Sequence, residues 1–140
     1  MMTIKNYIIC LTASIVAFMA VSCNDYDLDE VLLGYDDISL SVKGELQYEY
    51  DPLRHQYGYN SNTGEFRAYD DKLSDWFCIQ CASVSLETGE TVMADLEYTA
   101  QNTTRKYEGL MFVVKKISSE GYVWLWNDAK KIGVVVRLLE

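Results

Sequence analysis

Two cysteines separated by two residues, Cys78 and Cys81, are the first candidates for chemistry. In a redox site this spacing belongs at a helix N-terminus, where the helix dipole lowers the pKa of the attacking thiol. Residues 76–82 instead predict a strand, and side chains three positions apart on a strand point to opposite faces. We therefore expect two separately packed thiols, since a disulfide would require a β-bulge to bring the sulfurs together.

His55 is the single histidine of the chain, and this limits both metal and acid–base chemistry. A zinc site that used both cysteines would need two further ligands, and one histidine cannot supply them. As a general base, His55 has no serine or cysteine nucleophile that the sequence ties to it, and a histidine flanking a turn among aromatic residues is the alternative. The acid pairs Asp36-Asp37 and Asp70-Asp71 lack the spacing of a calcium loop. The sequence thus predicts no enzyme, no metal site and no cofactor.

Three aromatic residues on one face of a predicted strand, Tyr122, Trp124 and Trp126, are the best candidates for ligand binding. The other face of that strand holds Val123 and Leu125, and only one of the two faces needs to be buried. If the aliphatic face lies in the core, the rings meet solvent and can stack on sugar rings or anchor a protein partner. If the aromatic face is buried, the same rings are core residues. We take the three aromatic residues as the candidate ligand platform.

The N-terminal segment predicts where the protein is located in the cell. Lys5 gives a short n-region its positive charge, and residues 7–19 form an apolar run of 13 residues that ends in small residues. Thirteen helical residues rise about 20 Å, which is too short for a hydrocarbon core of about 30 Å. We therefore predict a signal peptide over residues 1–22 rather than a transmembrane anchor.

A cysteine directly follows the small residues, and Val21-Ser22-Cys23 resembles the end of a bacterial lipobox, with Ala20 in place of the usual leucine. The resemblance implies that the Cys23 thiol receives diacylglycerol and that cleavage occurs just before this residue. Acyl chains such as palmitate would then anchor the protein, since two or three chains hold almost permanently whereas one binds marginally. The alternative is an ordinary secretory signal cut near Ser22.

Four acids lie within the seven residues that follow Cys23, from Asn24 to Glu30. This run resembles the acidic export signal of surface lipoproteins in the Bacteroidetes, without the lysine or serine that often opens it. Asn24 also differs from the aspartate that retains lipoproteins in the inner membrane of enteric bacteria. The resemblance implies an outer-membrane address, periplasmic or surface-facing, and the alternative is a charged spacer. Both interpretations predict a flexible tether over residues 23–34.

The composition predicts one packed β-domain over residues 35–140. Hydrophobic residues make up 49% of the chain, proline occurs once, and tyrosine and β-branched residues are frequent. The formal charge of −9, with basic residues scattered along the chain, opposes binding to nucleic acid, which requires clustered Lys and Arg. It also opposes attachment to anionic lipid by charge alone, so any membrane contact must be covalent or integral.

Alternation of apolar and polar residues with a period of two continues from Tyr35 onward and predicts strands. The clearest run is residues 92–98, whereas residues 132–139 are apolar on both faces, as in a central strand. Residues 51–54 predict a turn that pairs residues 46–50 with residues 55–59 in a hairpin. Eight or so such strands predict an all-β fold, a small antiparallel β-sandwich that is Ig-like in the loose architectural sense. An eight-stranded lipocalin-like barrel is the alternative.

These observations predict a lipid-anchored outer-membrane or cell-surface lipoprotein with a non-enzymatic β-domain. The domain is expected to bind an extracellular glycan or another envelope protein, with Tyr122, Trp124 and Trp126 as its platform. The alternative is a structural or accessory subunit of an envelope complex, docked through an unpaired sheet edge. A hydrolase is the third hypothesis, and it requires His55 to converge with loop carboxylates in a cleft.

Overall fold

Strands account for most of the residues that a computed structural model describes, which are residues 28–72, 74–81 and 86–139. The elements are, in chain order, α1 (Leu28–Leu33), β1 (Ser39–Val42), β2 (Glu45–Glu49), β3 (His55–Asn60), β4 (Glu65–Asp70), β5 (Trp76–Cys81), β6 (Thr91–Ala100), β7 (Thr103–Ile117), β8 (Tyr122–Asn127) and β9 (Ile132–Arg137). The all-β prediction is confirmed. Among the described residues, no helix has the length and apolar character needed to cross a membrane.

The strands lie in one antiparallel sheet with the order β2-β1-β9-β8-β7-β6-β5-β4-β3. Seven consecutive strands, β3 to β9, form a meander, and the β1–β2 hairpin joins this meander through β9. The sheet curls into a half-barrel, which is compatible with the predicted barrel alternative. The two-sheet sandwich is not confirmed, because the strands of the described chain belong to one sheet.

The inner face of the curled sheet carries the hydrophobic core. On β6 the alternating residues Val92, Ala94, Leu96 and Tyr98 are buried there, as their period of two predicts. Burying a large aliphatic or aromatic side chain contributes about 1.5–3 kcal/mol, so the core is the main source of stability. Strand β9 is buried on both faces from Ile132 to Val136, which confirms its predicted central position.

Two hairpins close through two-residue turns whose backbone is left-handed. The φ angles are 53° and 84° at Lys43 and Gly44, and 53° and 63° at Gln101 and Asn102. Positive φ at both central positions defines the type I′ turn, whose twist matches that of the flanking strands. These turns fix the β1–β2 and β6–β7 registers.

The predicted turn at residues 51–54 is present, but the predicted hairpin around it is wrong. The amides of Arg54 and His55 both donate to the carbonyl oxygen of Asp51, at 3.0 and 2.8 Å. Strand β2 then pairs with β1 and strand β3 with β4, at opposite ends of the sheet. Alternation determines which face of a strand is buried, whereas it does not determine which strand becomes the neighbour.

Aromatic side chains connect these two edge strands. The ring centroids of Tyr48 and His55 are 4.9 Å apart, and those of Tyr50 and Tyr57 are 5.5 Å apart. Arg137 from β9 donates to the hydroxyl oxygen of Tyr57 at 3.0 Å. Ring packing thus connects the two edges of the half-barrel, and a charged hydrogen bond joins β3 to β9.

A second buried layer lies on the outer face, where the end of α1 covers β9 and β1. Val135 and Ser41 point away from the core, yet both are buried. The side chain of Leu32 lies directly over Gly133, where an added Cβ would stand 2.9 Å from Leu32 Cδ1. Val31–Glu140 form one compact unit that includes the last turn of this helix. Leu28–Leu33 lie within the flexible tether predicted over residues 23–34 and form helix α1, in which Leu32 is buried because it finds an apolar surface to cover.

Candidate functional site

The predicted ligand platform, Tyr122, Trp124 and Trp126, lies on the outer face of β8. Val123 and Leu125 belong to the core, so the aliphatic face is the inner one. The two indole rings are nevertheless only 4% and 5% exposed, and Tyr122 is half-buried. The prediction of a solvent-facing aromatic ribbon is therefore wrong for both tryptophans.

Neighbouring groups account for this burial. The Trp124 indole N–H donates to the carbonyl oxygen of Tyr35, in the segment after α1, at 2.9 Å. The Lys116 ammonium lies 4.5 Å from the centroid of the Trp124 ring, and Trp126 donates to Asp128 at 3.4 Å. Both indole N–H groups thus have hydrogen-bond partners, as is usual for buried tryptophans. Lys116 adds a cation–π contact to Trp124.

Cys78 and Cys81 carry free thiols on opposite faces of β5, as predicted. Cys81 packs against the core, whereas Cys78 faces outward and donates to the Glu65 carboxylate at 3.0 Å. Burial raises the pKa of Cys78 to about 12, with a further contribution from the Glu65 hydrogen bond, and burial raises the pKa of Cys81 to about 11. Both thiols therefore stay protonated at neutral pH and are poor nucleophiles.

His55 lies opposite Asp70 in the β3–β4 pair, which brings together part of what the hydrolase hypothesis requires. The His55 Nδ1 atom accepts the amide of Asp51 at 2.8 Å, and the Ser74 hydroxyl and amide both donate to the Asp70 carboxylate. Burial opposes ionisation of Asp70, but these hydrogen bonds and one from Asp75 outweigh it, so its pKa lies below the ordinary value. Within the described residues Ser74 is bound to the carboxylate rather than to the imidazole, and the cluster stabilises the loop after β4.

Polar and aromatic side chains on the outer face of β3 to β7 surround a groove that the sequence analysis missed. We call it the outer groove, and it consists of two adjoining hollows. The Trp76 hollow, of about 210 Å³, is lined by Glu65, Arg67, Trp76, Cys78, Gln80, Asp95, Leu96, Glu97 and Lys106. The Gly58 hollow, of about 330 Å³, is lined by Gly58, Tyr59, Asn60, Glu65, Arg67 and Tyr69.

Strand alternation and register bring these side chains together. On β5 the buried residues Phe77 and Ile79 face inward, which turns Trp76, Cys78 and Gln80 outward. Register then places outward residues of neighbouring strands side by side across the sheet, in a row of Gly58, Arg67, Cys78, Glu97 and Lys106. A second row holds Tyr69 beside Trp76, so that each hollow is bordered by an aromatic residue from the outward side of a strand.

An ion pair stands between the two hollows and lines both of them. The Arg67 guanidinium donates to the Glu65 carboxylate at 3.2 Å, and the same carboxylate oxygen accepts the Cys78 thiol. The Cys78 hydrogen bond and the Arg67 charge outweigh burial and lower the pKa of Glu65, which stays ionised at neutral pH. Such an exposed pair contributes little to stability, but it fixes a charged donor and acceptor at the centre of the groove.

A β-bulge sets the wall of the Trp76 hollow. Register shifts between Ala94 and Leu96, where β7 contains Gly109 with a φ angle of 68°. The Gly109 amide donates to the Asp95 carboxylate at 2.8 Å and so holds that side chain in place. A glycine in this conformation is typical of bulges of the G1 type, which re-aim side chains beside binding sites.

No known protein family, curated protein or solved structure matches the chain at a significant level. Cys23 and the predicted signal peptide over residues 1–22 lie outside the described residues, so lipidation stays a prediction. The described part of the chain contains no group of three or more side chains able to hold a metal ion. The outer groove is the arrangement from which a function can be argued.

Proposed function

We propose that the protein is a lipid-anchored outer-membrane or cell-surface lipoprotein whose β-domain binds an extracellular glycan in the outer groove and catalyses no reaction. The anchor is Cys23, and the lipobox-like sequence before it supports this part of the proposal. The domain belongs to the barrel alternative rather than to the sandwich, and the curled single sheet supports this assignment.

One observation carries the glycan proposal, namely that Trp76 and Tyr69 border hollows that are also lined by several charged and amide side chains. The flat C–H face of a sugar ring packs on an aromatic ring, while its hydroxyls require donors and acceptors around the edge. Arg67 and Lys106 supply donors, and the carboxylates of the groove supply acceptors. Fixed polar groups beside an aromatic residue can orient a small polar ligand.

Isothermal titration with cello-, chito- and malto-oligosaccharides tests this proposal. We expect at least one series to bind the wild type, and Trp76→Ala to weaken that binding by about ten-fold, or about 1.4 kcal/mol. Met111→Ala is the matched control, because Met111 is an exposed apolar residue on the same face outside the groove. Absence of binding in all three series, or an equal effect of both variants, refutes the proposal.

The anchor is tested separately. Intact-mass analysis of the membrane fraction should give the mass of a chain that begins at Cys23 plus its acyl groups. Cys23→Ala should release the protein from membranes, and Cys10→Ala is the matched control because Cys10 lies inside the predicted signal peptide. A Cys23→Ala protein that still fractionates with membranes contradicts the covalent anchor.

The accessory-subunit alternative is favoured by a different observation. Met93, Met111 and Val113 are exposed on the outer face of β6 and β7, and Met93 lies directly opposite Met111. Adjacent exposed apolar side chains are typical of protein contact surfaces. If this alternative holds, Val113→Lys should dissociate a larger envelope complex on native gels while leaving glycan binding unchanged. An unchanged complex would exclude this surface from the assembly.

A further inference from the structure

We infer that the outer groove takes a neutral oligosaccharide that spans both hollows, rather than a single sugar. The inference rests on the proposed glycan function and names its ligand class. Its basis is the division of the groove into two hollows that meet at the Glu65–Arg67 ion pair, each with an aromatic ring of its own.

The span of the groove supports more than one ring. The Gly58 hollow lies over β3 and β4, and the Trp76 hollow extends from β4 to β7. Neighbouring strands are about 4.8 Å apart, so four strand spacings from β3 to β7 give about 19 Å. A single sugar ring covers only a part of that distance, whereas a short chain laid across the strands occupies both hollows.

The two aromatic residues stand in matching positions. Tyr69 and Trp76 are direct register partners on β4 and β5, so their side chains leave the sheet side by side. The Tyr69 hydroxyl donates to Gln56 at 3.1 Å, which holds this ring at the Gly58 hollow. Each ring can stack on the face of one sugar, so two consecutive sugars of a chain can stack on the two rings.

In this arrangement the Glu65–Arg67 ion pair contacts the glycosidic link between two sugars. Arg67 uses one nitrogen for Glu65, and a guanidinium has five N–H donors in all, so donors remain for hydroxyl or ring oxygens. Glu65 is held from both sides by Arg67 and Cys78, so the pair is ordered before a ligand arrives.

The charges of the groove select against anionic chains. Glu65, Asp95 and Glu97 contribute three negative charges, against two positive charges from Arg67 and Lys106. A sulfated or uronic-acid chain would place its own charges beside these carboxylates, and the resulting like-charge repulsion is unfavourable. A neutral chain avoids this repulsion and still satisfies the donors and acceptors.

Gly58 provides a way to fill one hollow without disturbing the other. It lies on the edge strand β3 opposite Arg67, and an added Cβ would meet no atom within 4 Å. A valine is favourable on a strand, so Gly58→Val should fold and should occupy the Gly58 hollow. Thr91→Val is the matched control, because Thr91 is an exposed outer-face residue outside the groove.

The experiment is titration of the wild type and both variants with cello-, chito- and malto-oligosaccharides from the monosaccharide to the hexasaccharide. We expect wild-type affinity to rise by about ten-fold or more from the monosaccharide to the hexasaccharide, and Gly58→Val to remove this gain. Thr91→Val should behave as wild type.

The outcomes separate the inference from the function on which it rests. Binding that does not depend on chain length, or a length dependence that survives Gly58→Val, overturns the spanning ligand while the glycan function stands. Tighter binding of a uronic-acid oligosaccharide, used as a fourth series, overturns the neutral ligand class. If no series binds the wild type, the proposed function and the inference fail together.

Discussion

Trp124 offers the sharpest test of the buried outer layer. Its ring is almost fully buried, and its indole N–H donates to the Tyr35 carbonyl at 2.9 Å. Truncation to alanine removes the ring from this layer and leaves the carbonyl without its donor. Buried Trp-to-Ala substitutions cost about 3–5 kcal/mol, so we expect Trp124→Ala to lower the free energy of unfolding by about 4 kcal/mol.

Urea unfolding followed by circular dichroism measures this loss. With a slope of about 2 kcal/mol per molar urea for a domain of this size, the midpoint should fall by about 2 M. Trp124→Phe keeps a six-membered aromatic ring but removes the N–H donor together with the rest of the indole, and it should cost about 1–2 kcal/mol. Met93→Ala, at a site that is 52% exposed, is the control and should stay within about 0.5 kcal/mol of the wild type.

Two results would refute this reasoning. A midpoint for Trp124→Ala that matches that of Met93→Ala would mean that the ring contributes no more than an exposed methionine. A folded Trp124→Phe protein that loses oligosaccharide binding would mean that the indole belongs to the ligand site, the role that its place in the predicted platform implies.

Two further predictions concern titratable groups. Iodoacetamide at pH 8.5 should modify Cys78 on the order of 10³ times more slowly in the folded protein than in the urea-unfolded chain. The reason is that the raised pKa of the folded-state thiol leaves little thiolate. Equal modification rates, measured by mass spectrometry, would contradict this. The folded-state pKa of Asp70 is lowered, so its stabilising contribution is present above the unfolded pKa of about 3.9 and is lost as the pH falls through the folded value. Asp70→Asn should therefore flatten the acid-side fall in unfolding free energy; an acid-side slope equal to that of the wild type would contradict the assignment.

The inner face of the sheet was predictable because it depends on local order in the chain. Val92 to Tyr98 alternate, and alternation alone puts their apolar side chains on one face. The β5 cysteines follow the same rule, since positions 78 and 81 have opposite parity. The period of two therefore predicted the buried faces of β5 and β6, whereas on β2 it failed for Leu46, which is exposed beside a register shift in the β1–β2 pair.

The outer face was not predictable in the same way, because it depends on contacts between distant segments. Trp124 is buried by Tyr35, which lies 89 residues away in the chain. The outer groove depends on register, which sets Trp76 beside Tyr69 and Glu97 beside Lys106. The alternation of each strand predicts which of its residues face outward. A single sequence does not show which strands become neighbours.

The pairing of β1 with β9 has a consequence for the order of folding. Ser41 and Gly133 lie in register although 92 residues separate them, whereas the strands from β3 to β9 pair with their immediate successors. Loop closure over such a distance is slow, and sequential hairpins form first. The β1–β2 hairpin is thus the last to join the sheet, and until β9 is in place the edge of β1 is unpaired and open to pairing with another chain.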